Sequence, residues 1–123
     1  MTLVEVILAI VILSGTMLGL GNFARQFQSA NSGSTAKTLA SDLGAQRIEE
    51  VRSYRPYSAI VSTYGSTSEE YTSGVYTGFT RTTTAVRCAS CPTATDDYVT
   101  VTVSVAGNDL AVAVKKTVVI AAF

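Results

Sequence analysis

The chain has 123 residues, enough for one small domain and an additional segment, and 47% of its residues are hydrophobic. Nine Lys and Arg balance nine Asp and Glu, so the chain lacks the basic excess with which proteins bind a phosphate backbone. It contains no His, the commonest general base and metal ligand. Composition thus gives no support for nucleic-acid binding and excludes catalysis by histidine.

The first segment, residues 1–22, is predicted to be an apolar helix. Its length of about 20 residues corresponds to roughly 30 Å, the thickness of the bilayer core. No Lys or Arg precedes Arg25, so the segment lacks the basic region of a cleaved signal peptide. We interpret residues 1–22 as the membrane half of a long helix, with Met1 as the mature N-terminus left after removal of a leader.

Glu5 carries the only ionisable side chain in residues 1–21. A carboxylate in hydrocarbon costs on the order of 2.5–3.5 kcal/mol on insertion scales, so such a residue indicates a function. Its candidate partner is the α-amino group of Met1, either in the same chain or in a neighbouring copy. The alternative is that Glu5 lies near the lipid headgroups and reaches the interface.

The sequence Thr-Leu-Val-Glu-Val-Ile-Leu-Ala-Ile at residues 2–10 resembles the start of mature type IV pilins and of the pseudopilins of type II secretion. In that family a prepilin peptidase cleaves after a glycine, the new N-terminal residue is methylated, and a glutamate at the fifth position helps to dock incoming subunits. The resemblance implies processing and methylation at Met1, a docking role for Glu5, and a place for residues 1–22 in the filament core after assembly. Met1 stands where the family most often has Phe.

Four small residues in the apolar segment, Ser14, Gly15, Gly19 and Gly21, weaken its helix propensity, and each Gly costs about 1 kcal/mol relative to Ala. The family commonly shows a melted stretch of this helix in assembled filaments, and we expect it between Ser14 and Asn22. The alternative is that these small residues allow close helix packing, as they do in membranes.

Residues 23–55 are predicted to be the amphipathic half of the same helix, which would have roughly 50 residues in total. Apolar residues recur there at helical spacing, and polar residues, Arg47 among them, fall largely elsewhere. Pro56 ends the pattern, because a proline disfavours helical backbone at the residue before it. Two separate helices are the alternative.

The remaining residues predict a small β-rich head. Residues 56–97 form a Ser/Thr-rich loop region with one or more strands, and residues 98–123 form a β-hairpin. Valines alternate from Val99 to Val105, a turn follows at Gly107, and the apolar face then continues at Leu110, Val112, Val114, Val118 and Ile120. The predicted fold is α+β, with the long N-terminal helix packed on an antiparallel sheet of three or more strands. This is also the pilin fold that the resemblance implies.

Cys88 and Cys91 are predicted to form a small-loop disulfide. A redox pair of the thioredoxin type would need a βαβ context, and a zinc site would need two further ligands. Asp96 and Asp97 could begin a calcium site, but adjacent acids without a spaced ligand set favour a solvated strand entry. We expect no metal, no cofactor and no catalytic residue, and we take Glu69 and Glu70 as solvated.

The resulting hypothesis is a structural subunit that polymerises into a type IV pilus. The resemblance implies a single-pass protein of the inner membrane that becomes part of an extracellular filament. Its implied partners are other copies of the chain, prepilin peptidase, an assembly platform protein and a motor ATPase. One alternative is a pseudopilin or minor pilin; another, of a different class, is a monomeric membrane-anchored binding domain.

The pilin hypothesis makes a prediction about the coding sequence upstream of Met1. We expect it to encode a short basic leader that ends in Gly, because the peptidase of the family cleaves after that residue. Sequencing of the upstream region checks this, and an initiator codon at Met1 without a leader would contradict the pilin hypothesis and favour the signal-anchor alternative.

Overall fold

A computed structural model describes residues 2–89, 91 and 97–122. The predicted α+β fold is confirmed: a long helix packs through its C-terminal part on an antiparallel sheet of four strands. The elements are α1 (Leu3–Ser53), a 3-10 turn (Tyr57–Ala59), α2 (Ile60–Tyr64), β1 (Ser66–Glu70), β2 (Phe79–Arg87), β3 (Tyr98–Gly107) and β4 (Val114–Ala121). The expectations for Met1 and Asp96 lie outside the described residues.

Helix α1 is continuous over 51 residues and ends at Ser53, three residues before Pro56. The chain divides within this helix into two compact units, one that ends at Ser34 and one that begins at Thr35. We call residues 35–122 the head unit. The two units are described separately below.

In the head unit, one stripe of α1 faces the sheet. Its members recur at spacings of three, four and eight residues, as expected for one helix face. The stripe consists of Ala36, Ala40, Leu43, Gly44, Arg47 and Val51, all buried. Three of these are Ala or Gly, so the stripe presents little side-chain volume to the sheet. At Gly44 an added Cβ would lie 3.4 Å from Cδ of Lys116 on β4, which is an ordinary van der Waals contact with the stem of that side chain.

The sheet has the order β1-β2-β3-β4, and every neighbouring pair is antiparallel. Strand β3 is central to the core, because Val99, Val101, Val103 and Val105 are at most 1% exposed. The register places Val103 between Thr83 of β2 and Lys116 of β4. The opposite face carries the alternate residues, which are mostly Ser and Thr. The period of two along β3 thus corresponds to one face under the helix and one face in solvent.

After β3 the predicted hairpin is present, but its second strand begins later than the apolar pattern indicated. The expected apolar face at Leu110 and Val112 is not part of a strand, and Val112 is 76% exposed. The chain turns directly after Gly107, where the amide of Leu110 donates to the carbonyl of Gly107 (3.1 Å). Strand β4 begins only at Val114, which pairs with Val105. The predicted start of this strand at Leu110 is therefore wrong, because the turn extends into a loop, whereas Val114, Val118 and Ile120 lie on β4 as predicted.

Leu43 offers a test of the contact between α1 and the sheet. It is 1% exposed, so Leu43→Ala should lower the free energy of unfolding of the head unit by about 2–4 kcal/mol through lost burial and a residual cavity. Val119→Ala is the control, because Val119 is 59% exposed on the other face of the sheet. Denaturant unfolding of the full chain in detergent, followed by circular dichroism, measures both. Equal effects of the two substitutions would contradict this packing.

Candidate functional site

Among the residues that the structure describes, the longest run of exposed apolar side chains lies on the first half of α1. None of residues 2–34 is buried, and the large apolar side chains between Leu3 and Phe27 are between 42% and 77% exposed. By length and composition, α1 contains an 18-residue stretch that could cross a membrane. Signal sequences near an N-terminus pass the same test, so the finding by itself indicates only that this segment needs an apolar environment.

Glu5 lies in the first turn of α1, where its amide donates to the carbonyl of Thr2 (3.0 Å). Its side chain is exposed, and the residues one turn further along the helix, Leu8 and Ala9, are apolar and exposed as well. Within residues 2–34 no side chain forms an ion pair with Glu5. The predicted pairing with the amine of Met1 falls outside the described residues and stays a prediction, as does the docking role.

The predicted melting segment is helical in this single chain. The hydroxyl of Ser14 donates to the carbonyl of Ile10 (2.7 Å), a local bond that competes with the helix ladder. A Cβ added at Gly15, Gly19 or Gly21 would meet nothing within 4 Å. Melting and close helix packing both require a second chain, so the two interpretations of these residues stay predictions.

Cys88 and Cys91 form a disulfide with a Cα–Cα distance of 5.9 Å. The amide of Cys88 donates to the carbonyl of Tyr98 (3.0 Å), which continues the pairing of β2 with β3. The two sulfurs and a carboxylate oxygen of Asp97 lie within 4.8 Å of one another, close enough to hold a metal ion. As long as the disulfide is closed, however, its sulfurs are not thiolate ligands. The disulfide thus fixes the end of β2 and leaves no free thiol pair there.

Asp97 is not the solvated strand entry that we predicted. It is 7% exposed and forms a two-pronged ion pair with Arg87, whose Nε donates to Oδ1 at 2.8 Å. These hydrogen bonds hold the pKa of Asp97 below its ordinary value. Both residues stand beside the disulfide, so the pair closes the same corner of the sheet.

A cluster of charged side chains in the head unit was not predicted. Arg47 on α1 and Arg81 on β2 are both buried, and both donate to the carboxylate of Glu69 on β1. The Nε of Arg81 lies 3.0 Å from Oε2 of Glu69, and its Nη1 lies 3.3 Å from the carbonyl oxygen of Leu43. Arg47 also donates to both oxygens of Glu50 at 3.0 Å. Glu69, which we took as solvated, therefore connects the helix to the sheet.

Two tyrosine rings complete this cluster. The guanidinium of Arg47 lies 5.4 Å from the centre of the Tyr64 ring, and that of Arg81 lies 5.5 Å from the Tyr71 ring. Partial burial acts to raise the pKa of Glu69, but its hydrogen bonds with the two guanidinium groups outweigh this and lower it. The carboxylate is thus held ionised and occupied, an arrangement suited to joining elements.

The chain matches no protein-family model, no curated protein and no solved structure. Function therefore has to be inferred from the residues themselves. Two features stand out: the exposed apolar half of α1, and the single carboxylate within it.

The lowered pKa of Glu69 predicts a dependence of stability on pH. A carboxylate with a lowered folded pKa stabilises the fold above its ordinary pKa, and the contribution is lost as pH falls through the folded value. Glu69→Gln should therefore lower the free energy of unfolding by about 1 kcal/mol at pH 7, because charge-assisted hydrogen bonds to two buried arginines are lost, while the solvent that reaches the Glu69 side chain weakens their contribution. The deficit relative to the unsubstituted chain should shrink as the pH falls below 4.5.

Glu70→Gln is the matched control. Glu70 is the next residue on β1, but its side chain is exposed on the other face of the sheet. Both variants and the unsubstituted chain are unfolded in urea at intervals of about one pH unit, from about pH 3 to about pH 7. Their free energies of unfolding are then compared at each pH. A deficit of Glu69→Gln that did not change with pH would contradict an ionised carboxylate as its cause.

Proposed function

We propose that the chain is a structural subunit that polymerises into a type IV pilus-like filament. The observation that supports this most is the exposed apolar half of α1, which has one carboxylate, Glu5, in its first turn. Monomeric soluble proteins rarely expose apolar patches larger than a few hundred Å². The apolar surface that runs from Leu3 to Phe27 needs either lipid or other copies of the same helix to cover it.

The free energy of apolar burial favours an environment that covers this surface both before and after assembly. Full burial of one Val, Leu or Ile side chain is worth about 1.5–3 kcal/mol, and the exposed segment contains many of them. A lipid bilayer would cover the segment in the subunit before assembly. In a filament, the same segment would pack against copies of itself, so the apolar surface stays covered throughout.

The presence of Glu5 favours a polymer-forming subunit over a simple membrane anchor. A plain membrane anchor gains nothing from a carboxylate in its apolar part, which is costly there. In a bundle of helices, a buried polar group that finds one specific partner can fix the register between chains. We propose that Glu5 pairs with a cation of a neighbouring subunit and thereby sets the position of each added copy.

The head unit supports the same proposal in another way. Its two buried arginines, Arg47 and Arg81, both pair with the half-buried carboxylate of Glu69. A unit of this kind suits the outside of a filament, where it faces solvent and neighbouring heads. The proposal includes the membrane, a processing peptidase, a platform protein and a motor ATPase as partners, as the resemblance of residues 2–10 implies.

A substitution at Glu5 tests the proposal. Glu5→Ala should leave the subunit in the membrane, because it makes the segment more apolar, and should reduce surface filaments severely, because the neighbour's cation loses its partner. Membrane fractionation measures insertion, and electron microscopy of sheared filaments with mass spectrometry of the subunit measures assembly.

Two further variants make the outcome specific. Glu5→Gln should also fail to assemble if the charge is required, whereas Glu49→Ala should assemble normally, since Glu49 is an exposed carboxylate of the head unit whose ion pair with Arg52 is on the surface. Normal filament yield from Glu5→Ala would refute the docking role. A membrane protein that never yields filaments, even without substitutions, would favour the anchored binding domain.

A further inference from the structure

The two edge strands of the sheet carry opposite charges. The strand order leaves β1 and β4 with one unpaired side each. Strand β1 ends in Glu69 and Glu70, and β4 has Lys115 and Lys116 directly after its first residue. An unpaired edge exposes a row of amide and carbonyl groups that can hydrogen-bond to another strand, and proteins usually block such edges.

The directions of the strands fit pairing between two copies. Because every neighbouring pair is antiparallel, β1 and β4 run in opposite directions. A second copy moved sideways in the plane of the sheet therefore places its β1 antiparallel to β4 of the first copy. Because sheets twist, the second copy is also turned by roughly the angle between β1 and β4, and the same step can be repeated from copy to copy.

The register brings the charges within reach of each other. One row of paired residues runs from Ser68 through Thr82 and Ser104 to Lys115. If the row continues into the next copy, Lys115 lies beside Ser68 of that copy, and Glu70 is the diagonal neighbour on the same face. Diagonal neighbours are about 7–8 Å apart, which a Lys and a Glu side chain can bridge.

Like edges, in contrast, repel each other. Pairing of β4 with β4 brings lysines together, and pairing of β1 with β1 brings glutamates together, which is unfavourable for directly opposed residues. The exposed pair Glu70 and Lys115 carries this discrimination. Glu69 is already shared by two arginines, and Lys116 lies against Gly44. In the part of the chain that the structure describes, Glu70 and Lys115 form no ion pair.

We propose that the β4 edge of one head unit pairs with the β1 edge of a second copy, and that Lys115 and Glu70 select this pairing. The contact is head-to-tail, so it does not close into a dimer and can add further copies. The shorter partner, β1, has five residues, so the contact is weak by itself. It goes beyond the proposed filament and does not depend on it, because no residue of the first half of α1 takes part.

Charge reversal on either edge tests the proposal. Sedimentation of the full chain in detergent, which covers the apolar helix, should show association that increases with protein concentration. Glu70→Lys gives a chain with two basic edges, and Lys115→Glu gives one with two acidic edges. Each variant alone should associate about tenfold more weakly, equivalent to 1.4 kcal/mol.

A mixture of the two variants gives the decisive result. Each acidic edge then meets a basic edge of the other variant, so the equimolar mixture should recover the association that both variants lost. Lys37→Glu and Glu49→Lys are matched controls, because they make the same charge changes on exposed positions of α1. Their association, alone and mixed, should equal that of the unsubstituted chain.

Amide hydrogen exchange locates the contact. Association should slow exchange in β4 and β1, while β2 and β3 stay unchanged. Circular dichroism shows whether the variants are folded, and the mixture keeps the test informative because recovery requires two folded partners. Absence of association in the unsubstituted chain, or equal association of the variants and controls, would overturn the proposal. Failure of Glu5→Ala to affect filaments would not bear on it.

Discussion

The head unit depends on one constraint: a single helix stripe has to cover the valine face of the sheet. Four valines of β3 are at most 1% exposed, and the stripe that covers them contains Ala36, Ala40 and Gly44. The small helix residues contribute little volume, so the four valines share the core with the larger helix residues Leu43 and Val51. Protein interiors are close-packed, so a change of one methylene group at this contact alters the stability of the fold. The length of the stripe in turn limits how much of the sheet can be apolar.

Charged residues replace apolar ones at the border of the sheet face that the helix covers. Arg47 belongs to the same helix stripe, but the strands near it, β1 and β2, offer Glu69 and Arg81 instead of valines. A buried guanidinium is costly unless its donors are occupied, and a carboxylate shared by two arginines occupies several of them. The planar fork of Arg suits this role better than an ammonium group does. The cluster is therefore the means by which a polar strand, β1, is attached to a helix that is otherwise apolar on this side.

Periodicity explains which of these features could be predicted. The alternation from Val99 to Val105 and the helical spacing after Phe23 have long-range consequences that a single sequence already contains, and both indicated a helix on an antiparallel sheet. The burial of Arg47 could not be predicted this way, because hydrophobicity assigns every Arg to the solvent side. It depends on Glu69 lying opposite Arg81 in the register of β1 and β2, which no local pattern specifies. The prediction for the segment from Leu110 to Val112 is wrong for the opposite reason. A local apolar alternation is present there, but the turn after Gly107 takes the chain out of the sheet.

The two units differ in the kind of contact that their surfaces can make. Apolar contact is non-directional, so the exposed first half of α1 can supply affinity in lipid or among copies without fixing a position. Directed contact has to come from polar groups whose partners are unique. In the filament that we propose, that group is Glu5 on the apolar segment, and in the proposed contact between head units it is the pair of oppositely charged sheet edges. A chain that is balanced in total charge can still carry polarity, because its charges are separated between two edges of one sheet. Neutral composition and directional assembly are therefore compatible in this molecule.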